Sequence, residues 1–288
     1  MVKKIAFVTC STKPKLAPDD QPVVDLLKLK GIEIQPLPWD LDSPYWNSFD
    51  LVVIRSCWNY HLHPEKFVQW LDQMESQKVR LCNSVKTVRW NLHKGYLQEL
   101  EQKGIPLPET IWLKKGKDAN LSQLIIEKNW EKAVVKPAIS ATAFNTFLVS
   151  RAEASQQQLN FAEHLQSADT LVQKFMPEVQ QEGEWSLIFF DKKFSHAVIK
   201  RPAAKDFRVQ NDFGGSAELA SPPPFALEQA QKILSLIDES LLYTRVDGVI
   251  SNNQFLLMEL ELIEPMLFLV DGKDAAERFT EVIIHGFL

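Results

Sequence analysis

The segment Phe255–Pro265 places acidic residues at alternate positions of a strongly apolar run. Side chains alternate between the two faces of a strand, so Glu259 and Glu261 lie on one face and Leu260 on the other. Two carboxylates on one face of an apolar strand are costly to bury unless a cation lies between them. Such oxygen ligands suit Mg²⁺, which commonly binds phosphates as well. Asp247 is the candidate for a third ligand; the alternative interpretation is a solvent-facing side of an edge strand.

Cationic residues elsewhere in the chain are candidates for binding phosphate. Lys136 ends an apolar strand and precedes a loop of small residues, 138–146, so its ammonium group can reach phosphate oxygens. Lys94, within a predicted helix over 91–103, is a second candidate. Arg201 and Arg208 lie near a pair of glycines and suit a developing phosphoryl charge. Exposed surface charges are the alternative interpretation for these residues.

An apolar strand over 170–173 leads into a turn that ends at Pro177. Backbone groups of such a turn can bind the edge of an adenine ring. An acidic residue that follows a few positions later, within 178–184, is able to accept hydrogen bonds from ribose hydroxyls. This pattern is not specific by itself.

The start of the chain predicts an open parallel sheet, because apolar runs at 4–9, 32–37 and 50–54 are separated by a helical segment and loops. Ligands of such sheets bind at the carboxyl ends of the strands. Here Arg55, with Trp58 and Tyr60, is a candidate clamp for a substrate carboxylate. The prediction is that Arg55→Ala raises KM for the substrate. The alternative interpretation is that Trp58 and Tyr60 belong to an aromatic core between domains.

After Pro108 the pattern becomes β-rich, and the chain is predicted to be α/β at its start and α+β beyond. The predicted strands lie at 110–113, 133–136, 146–149, 170–173, 185–190, 196–200, 243–250 and 255–262. Two hairpins are predicted among them: 185–190 pairs with 196–200 around the turn 191–193, and 243–250 pairs with 255–262 around the turn 251–253. The predicted helices include 64–73, 122–128, 155–166 and 224–242.

Composition excludes several classes of function. The chain has 288 residues, which suggests two domains or one large domain with subdomains. The net charge of −5 argues against a nucleic-acid surface. Its three scattered cysteines oppose a disulfide framework or a zinc site and fit a reducing compartment. No apolar run is long enough for a signal peptide or a membrane span, so the expected location is cytoplasmic.

Taken in order, these segments resemble the ATP-grasp superfamily, in particular its glutathione synthetase-like branch. The resemblance is closest to a bacterial subgroup that includes O-ureido-serine cyclo-ligase, and it covers about residues 50 to 270. The stretches that carry it are Arg55–Tyr60, Gly183–Leu187, Phe194–Val198 and Met258–Pro265. The resemblance implies an ATP-grasp fold with an N-terminal Rossmann-like (pre-ATP-grasp) substrate domain over 1–82. A connector and lid subdomain over 83–178 and a catalytic subdomain over 179–288 would follow.

The resemblance also implies roles for individual residues. The two nucleotide-phosphate lysines would be Lys94 and Lys136, and the ribose acid Glu184. The adenine hinge would consist of Gln173, Lys174, Phe175 and Met176. The phosphate-side arginines would be Arg201 and Arg208, and the ligands of two magnesium ions Asp247, Glu259 and Glu261. Glu261 stands where the branch usually has asparagine. The loop 138–146 contains no glycine, whereas the family loop is glycine-rich, so its closure over phosphates is expected to be altered.

The implied activity is an ATP- and Mg²⁺-dependent ligation of a carboxylate to an amine through an acyl phosphate, on a small amino-acid-like substrate. Related ligases are often oligomers, so a homodimer is possible. One alternative is an intramolecular cyclo-ligase of the same fold. Another is a nucleotide-binding accessory protein, which the glycine-free loop favours. A dinucleotide-dependent oxidoreductase is disfavoured because the first βα turn, Thr9–Pro14, lacks GxGxxG.

Overall fold

A computed structural model describes residues 2–41, 45–204, 206–209 and 213–288. The first sheet is parallel, in the order β2-β1-β3-β4. Its strands are β1 (Lys4–Thr9), β2 (Glu33–Pro38), β3 (Leu51–Ile54) and β4 (Leu81–Cys82). Helix α1 (Gln21–Leu29) packs on one face and α2 (Pro64–Ser76) on the other. Burial on both faces explains why β1 and β3 are continuous apolar runs. The predicted N-terminal parallel sheet is confirmed.

Two short helices connect this sheet to the rest of the chain, α3 (Val85–Leu92) and α4 (Gly95–Gln102). The prediction of one helix over 91–103 was therefore wrong. His93 is extended at the break, and its Nδ1 accepts a hydrogen bond from the Gly95 N–H at 3.0 Å. This bond satisfies one of the donors at the start of α4 that a helix leaves without a partner. The break also lets the backbone N–H of Lys94 donate to the carbonyl of Ala138, at 2.8 Å.

The second sheet is antiparallel, in the order β5-β8-β6-β7. Its strands are β5 (Thr110–Leu113), β6 (Lys132–Pro137), β7 (Phe147–Ser150) and β8 (Thr170–Lys174). Helices α5 (Leu121–Glu127) and α6 (Gln158–Ser167) cover one face through a core that includes Trp130 and Phe161. Because β6 alternates, Val135 lies in this core while Val134 and Lys136 line a cavity on the opposite face.

The third sheet is also antiparallel, in the order β11-β10-β9-β12-β13, and it confirms both predicted hairpins. Its strands are β9 (Glu184–Phe190), β10 (Lys193–Arg201), β11 (Ser216–Leu219), β12 (Tyr243–Ser251) and β13 (Gln254–Glu261). The short helix α7 (Glu178–Gln181) precedes β9, and α8 (Pro224–Ser235) covers one face of the sheet. Helix α8 ends seven residues before the predicted boundary at 242. The last α-helix is α9 (Ala275–Val282).

The other face of the third sheet changes from apolar to charged along its strands. On β9, Ile188 and Phe190 pack with α9 and the first sheet, whereas Glu184, on the same face, lines the cavity. On β12, Tyr243 lies in that same apolar core, and Asp247 lies at the cavity. The apolar half thus packs against the first sheet, and the charged half faces the cavity. None of the helices in the described ranges has the length and apolarity of a membrane span.

A shift in register between β12 and β13 occurs directly after Asp247, at Gly248. A Cβ atom on Gly248 would lie 2.4 Å from Phe255 Cζ and 2.5 Å from the Leu256 carbonyl oxygen. We therefore expect Gly248→Ala to lower the free energy of unfolding by about 1–3 kcal/mol, because the crowded strands must shift. Urea denaturation measures this loss. Gly286→Ala is the matched control, since its Cβ would meet nothing closer than 3.9 Å. Equal stability of the two variants would contradict the crowding argument.

Candidate active site

A cavity of about 420 Å³ lies where the three sheets meet, within the size range of small-molecule sites. The first sheet and the segment after β13 contribute Lys13, Trp58, Tyr60 and Glu264. The connector and second sheet contribute Lys94, Val134, Lys136, Gln173, Lys174, Phe175 and Met176. The third sheet contributes Glu184, Lys200, Arg245, Asp247, Met258, Glu259 and Glu261. The loop residue Arg208 also lines the cavity. Most of the residues predicted from sequence are therefore brought together.

Asp247 is the most enclosed carboxylate of the cavity, with only 2% of its surface exposed. It accepts hydrogen bonds from Ser186 Oγ at 2.6 Å, Lys200 Nζ at 3.0 Å and Arg245 Nη2 at 2.9 Å. Burial disfavours the charged form, but Arg245 and Lys200 outweigh burial and hold the pKa of Asp247 well below its usual range. The ion pair of Lys200 with Glu184 extends this network.

Glu261 pairs with Arg245 on the neighbouring strand. Burial raises the pKa of Glu261 to about 7, and Asp247 and Glu259 act in the same direction against Arg245. Negative charge is thus crowded along this edge of β13. A further cation at this edge would favour the ionised form of Glu261.

Two lysines reach the cavity from the connector and the second sheet. Lys94 Nζ lies 2.9 Å from Glu259 Oε1 and donates to the carbonyl and the hydroxyl of Ser140, each at 3.1 Å. Lys136 Nζ donates to Gln173 Oε1 at 3.1 Å. Burial lowers the pKa of Lys136 to about 8. Burial raises the pKa of Glu259, but Lys94 and Lys136 outweigh it, and the pKa is lowered.

The carboxylates of β12 and β13 supply the hard oxygen donors that Mg²⁺ prefers, so their chemistry fits the ion. In the described part of the chain, however, no group of three or more acidic, histidine or cysteine side chains is close enough to hold a metal ion. Asp247, Glu259 and Glu261 are instead engaged by Arg245, Lys200 and Lys94. The magnesium ligands therefore stay a prediction.

An apolar slot forms one end of the cavity, where Met176, Val179 and Val209 pack together with Val249 and Met258. This slot adjoins the predicted adenine hinge. Of the hinge residues, Gln173 is buried, whereas Lys174 is exposed and lies 3.9 Å from Glu109. A flat apolar ring is the kind of group that fits between such side chains.

The glycine-free loop over 138–146 lies across the cavity. Thr142, Ala143 and Asn145 adopt the left-handed backbone conformation without glycine, which costs energy for residues with a Cβ. The ring of Phe144 lies 5.0 Å from that of His61, next to the first sheet. The loop therefore contacts the segment between β3 and α2 even though it has no glycine.

Arg55 requires a correction. It is 2% exposed, does not line the cavity, and its Nε donates to Asp20 at 2.7 Å. It also donates to the carbonyl of Pro265, at 3.2 Å, and thus links the first sheet to the segment after β13. The position of Arg55 at the end of a strand suggested a clamp for the substrate, but its guanidinium group forms an ion pair with Asp20. Trp58 and Tyr60, in contrast, do line the cavity.

Arg201 is also placed away from the cavity. It pairs with Glu218 on β11, and 43% of its side chain is exposed. Alternation along β10 explains this, because Lys200 faces the cavity and its neighbour faces outward. Arg208 does line the cavity, although its guanidinium is engaged by Asp206 at 2.8 Å and lies 3.6 Å from the Phe213 ring centre.

Four charged residues of the cavity were not predicted: Lys13, Lys200, Arg245 and Glu264. Strand alternation could have identified Arg245, which is two residues before Asp247 and so lies on its face. Lys200 lies opposite Glu184 in the pairing of β9 with β10, so the same rule places Lys200, and not Arg201, on the face of Glu184. Lys13 and Glu264 lie in loops, and no local pattern marks them.

Comparisons with known proteins agree with this architecture. Residues 5–83 match the family model of the N-terminal domain of D-cycloserine synthetase DcsG. The cycloserine biosynthesis protein DcsG of Streptomyces lavendulae is 26% identical over 294 residues, which cover 97% of each chain. The crystal structure of D-cycloserine synthetase DcsG superposes with a TM-score of 0.88 at 25% identity, covering 99% of this chain and 100% of that one.

A RimK domain protein, an ATP-grasp protein from Sphaerobacter thermophilus, shows the same fold at 16% identity. Its TM-score is 0.71, and the match covers 98% of this chain and 99% of that one. The arrangement of the three sheets is thus that of a known architecture. The chain therefore has the ATP-grasp fold, as the sequence resemblance predicted.

Proposed function

We propose that this protein is a ligase that uses Mg²⁺ and ATP to phosphorylate the carboxylate of a small amino-acid-like substrate and then joins the acyl group to a nitrogen. One observation carries the proposal. Four buried or half-buried cations, Lys94, Lys136, Lys200 and Arg245, surround the carboxylates of β12 and β13 in a single cavity. The similarity to cycloserine proteins supports an amino-acid-like substrate.

In the first step, a carboxylate oxygen of the substrate attacks the γ-phosphorus of ATP, and the bond from that phosphorus to the bridging oxygen of ADP breaks. In the second step, the nitrogen attacks the acyl carbon, the bond from carbon to the phosphate oxygen breaks, and the nitrogen loses a proton. Phosphoryl transfer of this kind depends on positioning and on charge neutralisation more than on a protein nucleophile.

Different side chains of the cavity would bind different parts of the reacting molecules. Lys94 and Lys136 enter from the side of the loop 138–146 and would bind phosphate oxygens of the nucleotide. Lys200 and Arg245, held in place by Asp247, would stabilise the charge that develops on the transferred phosphoryl group. The apolar slot around Met176 would receive the adenine ring.

Asp247, Glu259 and Glu261 would hold magnesium, which when bound neutralises phosphate charge. Glu259 would then exchange its ammonium partner, Lys94, for the metal and leave that lysine for a phosphate oxygen. The raised pKa of Glu261, about 7, is expected to fall when a cation binds beside it.

A screen of amino acids in both enantiomeric forms tests the proposal. Phosphate release that requires magnesium, ATP and a particular amino acid is the expected result, together with a product that mass spectrometry identifies as an amide-type adduct. Phosphate release that is equal with and without every amino acid would contradict it.

Similarity to D-cycloserine synthetase favours a second candidate, in which the carboxylate and the nitrogen belong to one molecule. Product mass separates the two reactions. Ring closure yields a product that contains a single substrate molecule less one water, whereas intermolecular ligation joins two substrate molecules.

The pKa of Lys136 gives a prediction about nucleotide binding. Below its pKa of about 8, Lys136 is an ammonium group that attracts phosphate; above it, the neutral amine does not. We therefore expect the affinity for an unhydrolysable ATP analogue to fall as pH rises through about 8. Lys136→Arg should bind with much less pH dependence, because a guanidinium stays charged. Calorimetric titration measures both, and an identical pH profile for the two proteins would contradict the role of Lys136.

A further inference from the structure

One wall of the cavity is formed by residues that the proposed nucleotide site does not use. Lys13 follows β1, Trp58 follows β3, and Glu264 follows β13. Lys13 Nζ lies 4.7 Å from the centre of the Trp58 ring. The indole Nε1 of Trp58 donates to the backbone carbonyl of Glu264 at 3.2 Å. The indole is thus flanked by a cation on one side and by the segment that carries a carboxylate on the other.

Glu264 differs from the other carboxylates of the cavity in its partners. Asp247, Glu259 and Glu261 each form an ion pair with lysine or arginine. Among the described residues, the carboxylate of Glu264 forms no ion pair and no hydrogen bond to another side chain, although it lines the same cavity. Burial raises the pKa of Glu264 to about 8, and Glu261 and Glu259 act in the same direction, so a cation from a ligand would favour its ionised form.

Substrate chemistry supplies such a cation. An amino acid carries an ammonium group next to its carboxylate, and the ammonium can donate up to three hydrogen bonds. A carboxylate that lies at the substrate end of the cavity is a strong acceptor for it. Lys13 has the opposite preference, since its charge repels an ammonium group and attracts a carboxylate.

We propose that Glu264 is the specificity-determining residue that binds the ammonium group of the amino-acid substrate, and that Lys13, across the indole of Trp58, favours the orientation with the carboxylate on its own side. This inference rests on the proposed function and deepens it. It predicts that the enzyme distinguishes amino acids from carboxylic acids of the same shape. Trp58 would act as the flat wall between the two charged groups.

Calorimetric binding tests the inference without requiring turnover. The probes are both enantiomers of alanine and of serine, together with propionate and hydracrylate, which have the same skeletons without the amino group. Each is titrated into the full chain in the presence of magnesium and an unhydrolysable ATP analogue. The wild type should bind at least one amino acid about tenfold or more tightly than its matched acid.

Glu264→Gln should remove that preference, lowering affinity for the amino acid about tenfold or more while leaving the matched acid and the ATP analogue unchanged. Lys13→Gln should weaken binding of the amino acid and of the matched acid alike, because Lys13 attracts the carboxylate that both ligands carry. Glu131→Gln is the control, because the side chain of Glu131 is 85% exposed and remote from the cavity. Equal binding of amino acid and matched acid by the wild type, no binding of any probe, or an unaltered preference in Glu264→Gln would overturn the inference.

Failure of the proposed function has a different signature. A wild type that binds amino acids through Glu264 but releases no phosphate from ATP would support the inference and contradict the ligase reaction. A wild type that releases phosphate while Glu264→Gln keeps the full preference for amino acids would support the reaction and contradict the inference.

Discussion

Glu259→Gln is expected to reduce kcat for amino-acid-dependent phosphate release by about 10²–10³-fold. Glutamine has the shape of glutamate but removes the charge that pairs with Lys94 at 2.9 Å and that would bind magnesium. Because the loss concerns charge stabilisation during phosphoryl transfer, kcat should fall more than KM rises. Steady-state kinetics at saturating ATP and magnesium measures the effect.

The control for this variant is Glu131→Gln, which makes the same chemical change at an exposed position. Circular dichroism and the unfolding midpoint should match the wild type for the control and show a folded protein for Glu259→Gln. A kcat of Glu259→Gln within about threefold of the control would remove Glu259 from the catalytic machinery.

Arg55→Ala is expected to lower the free energy of unfolding by about 3–5 kcal/mol, because it leaves the carboxylate of Asp20 buried without its partner. The pKa of Asp20 is already raised by burial despite Arg55, so the unpaired carboxylate would be costly. The contact of Arg55 with the carbonyl of Pro265 would be lost as well. Urea denaturation measures the change in stability.

Replacing both members of the ion pair distinguishes a role of Arg55 in stability from a role in substrate binding. Arg55→Met combined with Asp20→Leu removes both charges, and we expect it to recover a large part of the stability. KM should stay close to wild type for whichever variants remain folded. Unchanged stability of Arg55→Ala together with a sharply raised KM would restore the prediction that Arg55 clamps the substrate carboxylate.

Local patterns in the sequence were sufficient for the strands that carry the chemistry. Glu259 and Glu261 share a face because β13 alternates, and Lys136 faces the cavity because β6 does. Hairpins between neighbouring strands follow from the short turns at Asp191–Lys193 and Asn252–Asn253. Each of these predictions depends only on residues that are close together in the chain.

Features that depend on distant partners were not predicted from the sequence. Arg55 has the residue type and strand-end position of a substrate clamp, but its partner Asp20 lies 35 residues earlier. The helix break at His93 depends on a ring nitrogen that accepts a backbone hydrogen bond, a cap that composition does not mark. Glu264 could be recognised only from the cavity, where its carboxylate has no ion-pair partner among the described residues.

Positively and negatively charged side chains alternate across the floor of the cavity and pair with one another. Asp247 keeps Lys200 and Arg245 fixed before any ligand binds, so little reorganisation is needed when phosphate charge develops. The binding of ATP and magnesium would replace protein–protein ion pairs by protein–ligand ones. Preformed charges of this kind are the main contribution that a phosphoryl-transfer enzyme makes.

The most direct test of the acyl-phosphate reaction uses a substrate whose carboxylate oxygens carry a heavy-oxygen label. Attack of that carboxylate on ATP, followed by loss of phosphate to the nitrogen, must transfer one labelled oxygen to the released phosphate. We expect mass spectrometry to find one heavy oxygen in the inorganic phosphate formed by the wild type. Released phosphate without the label would show that ATP is hydrolysed by water, and would contradict the ligase mechanism.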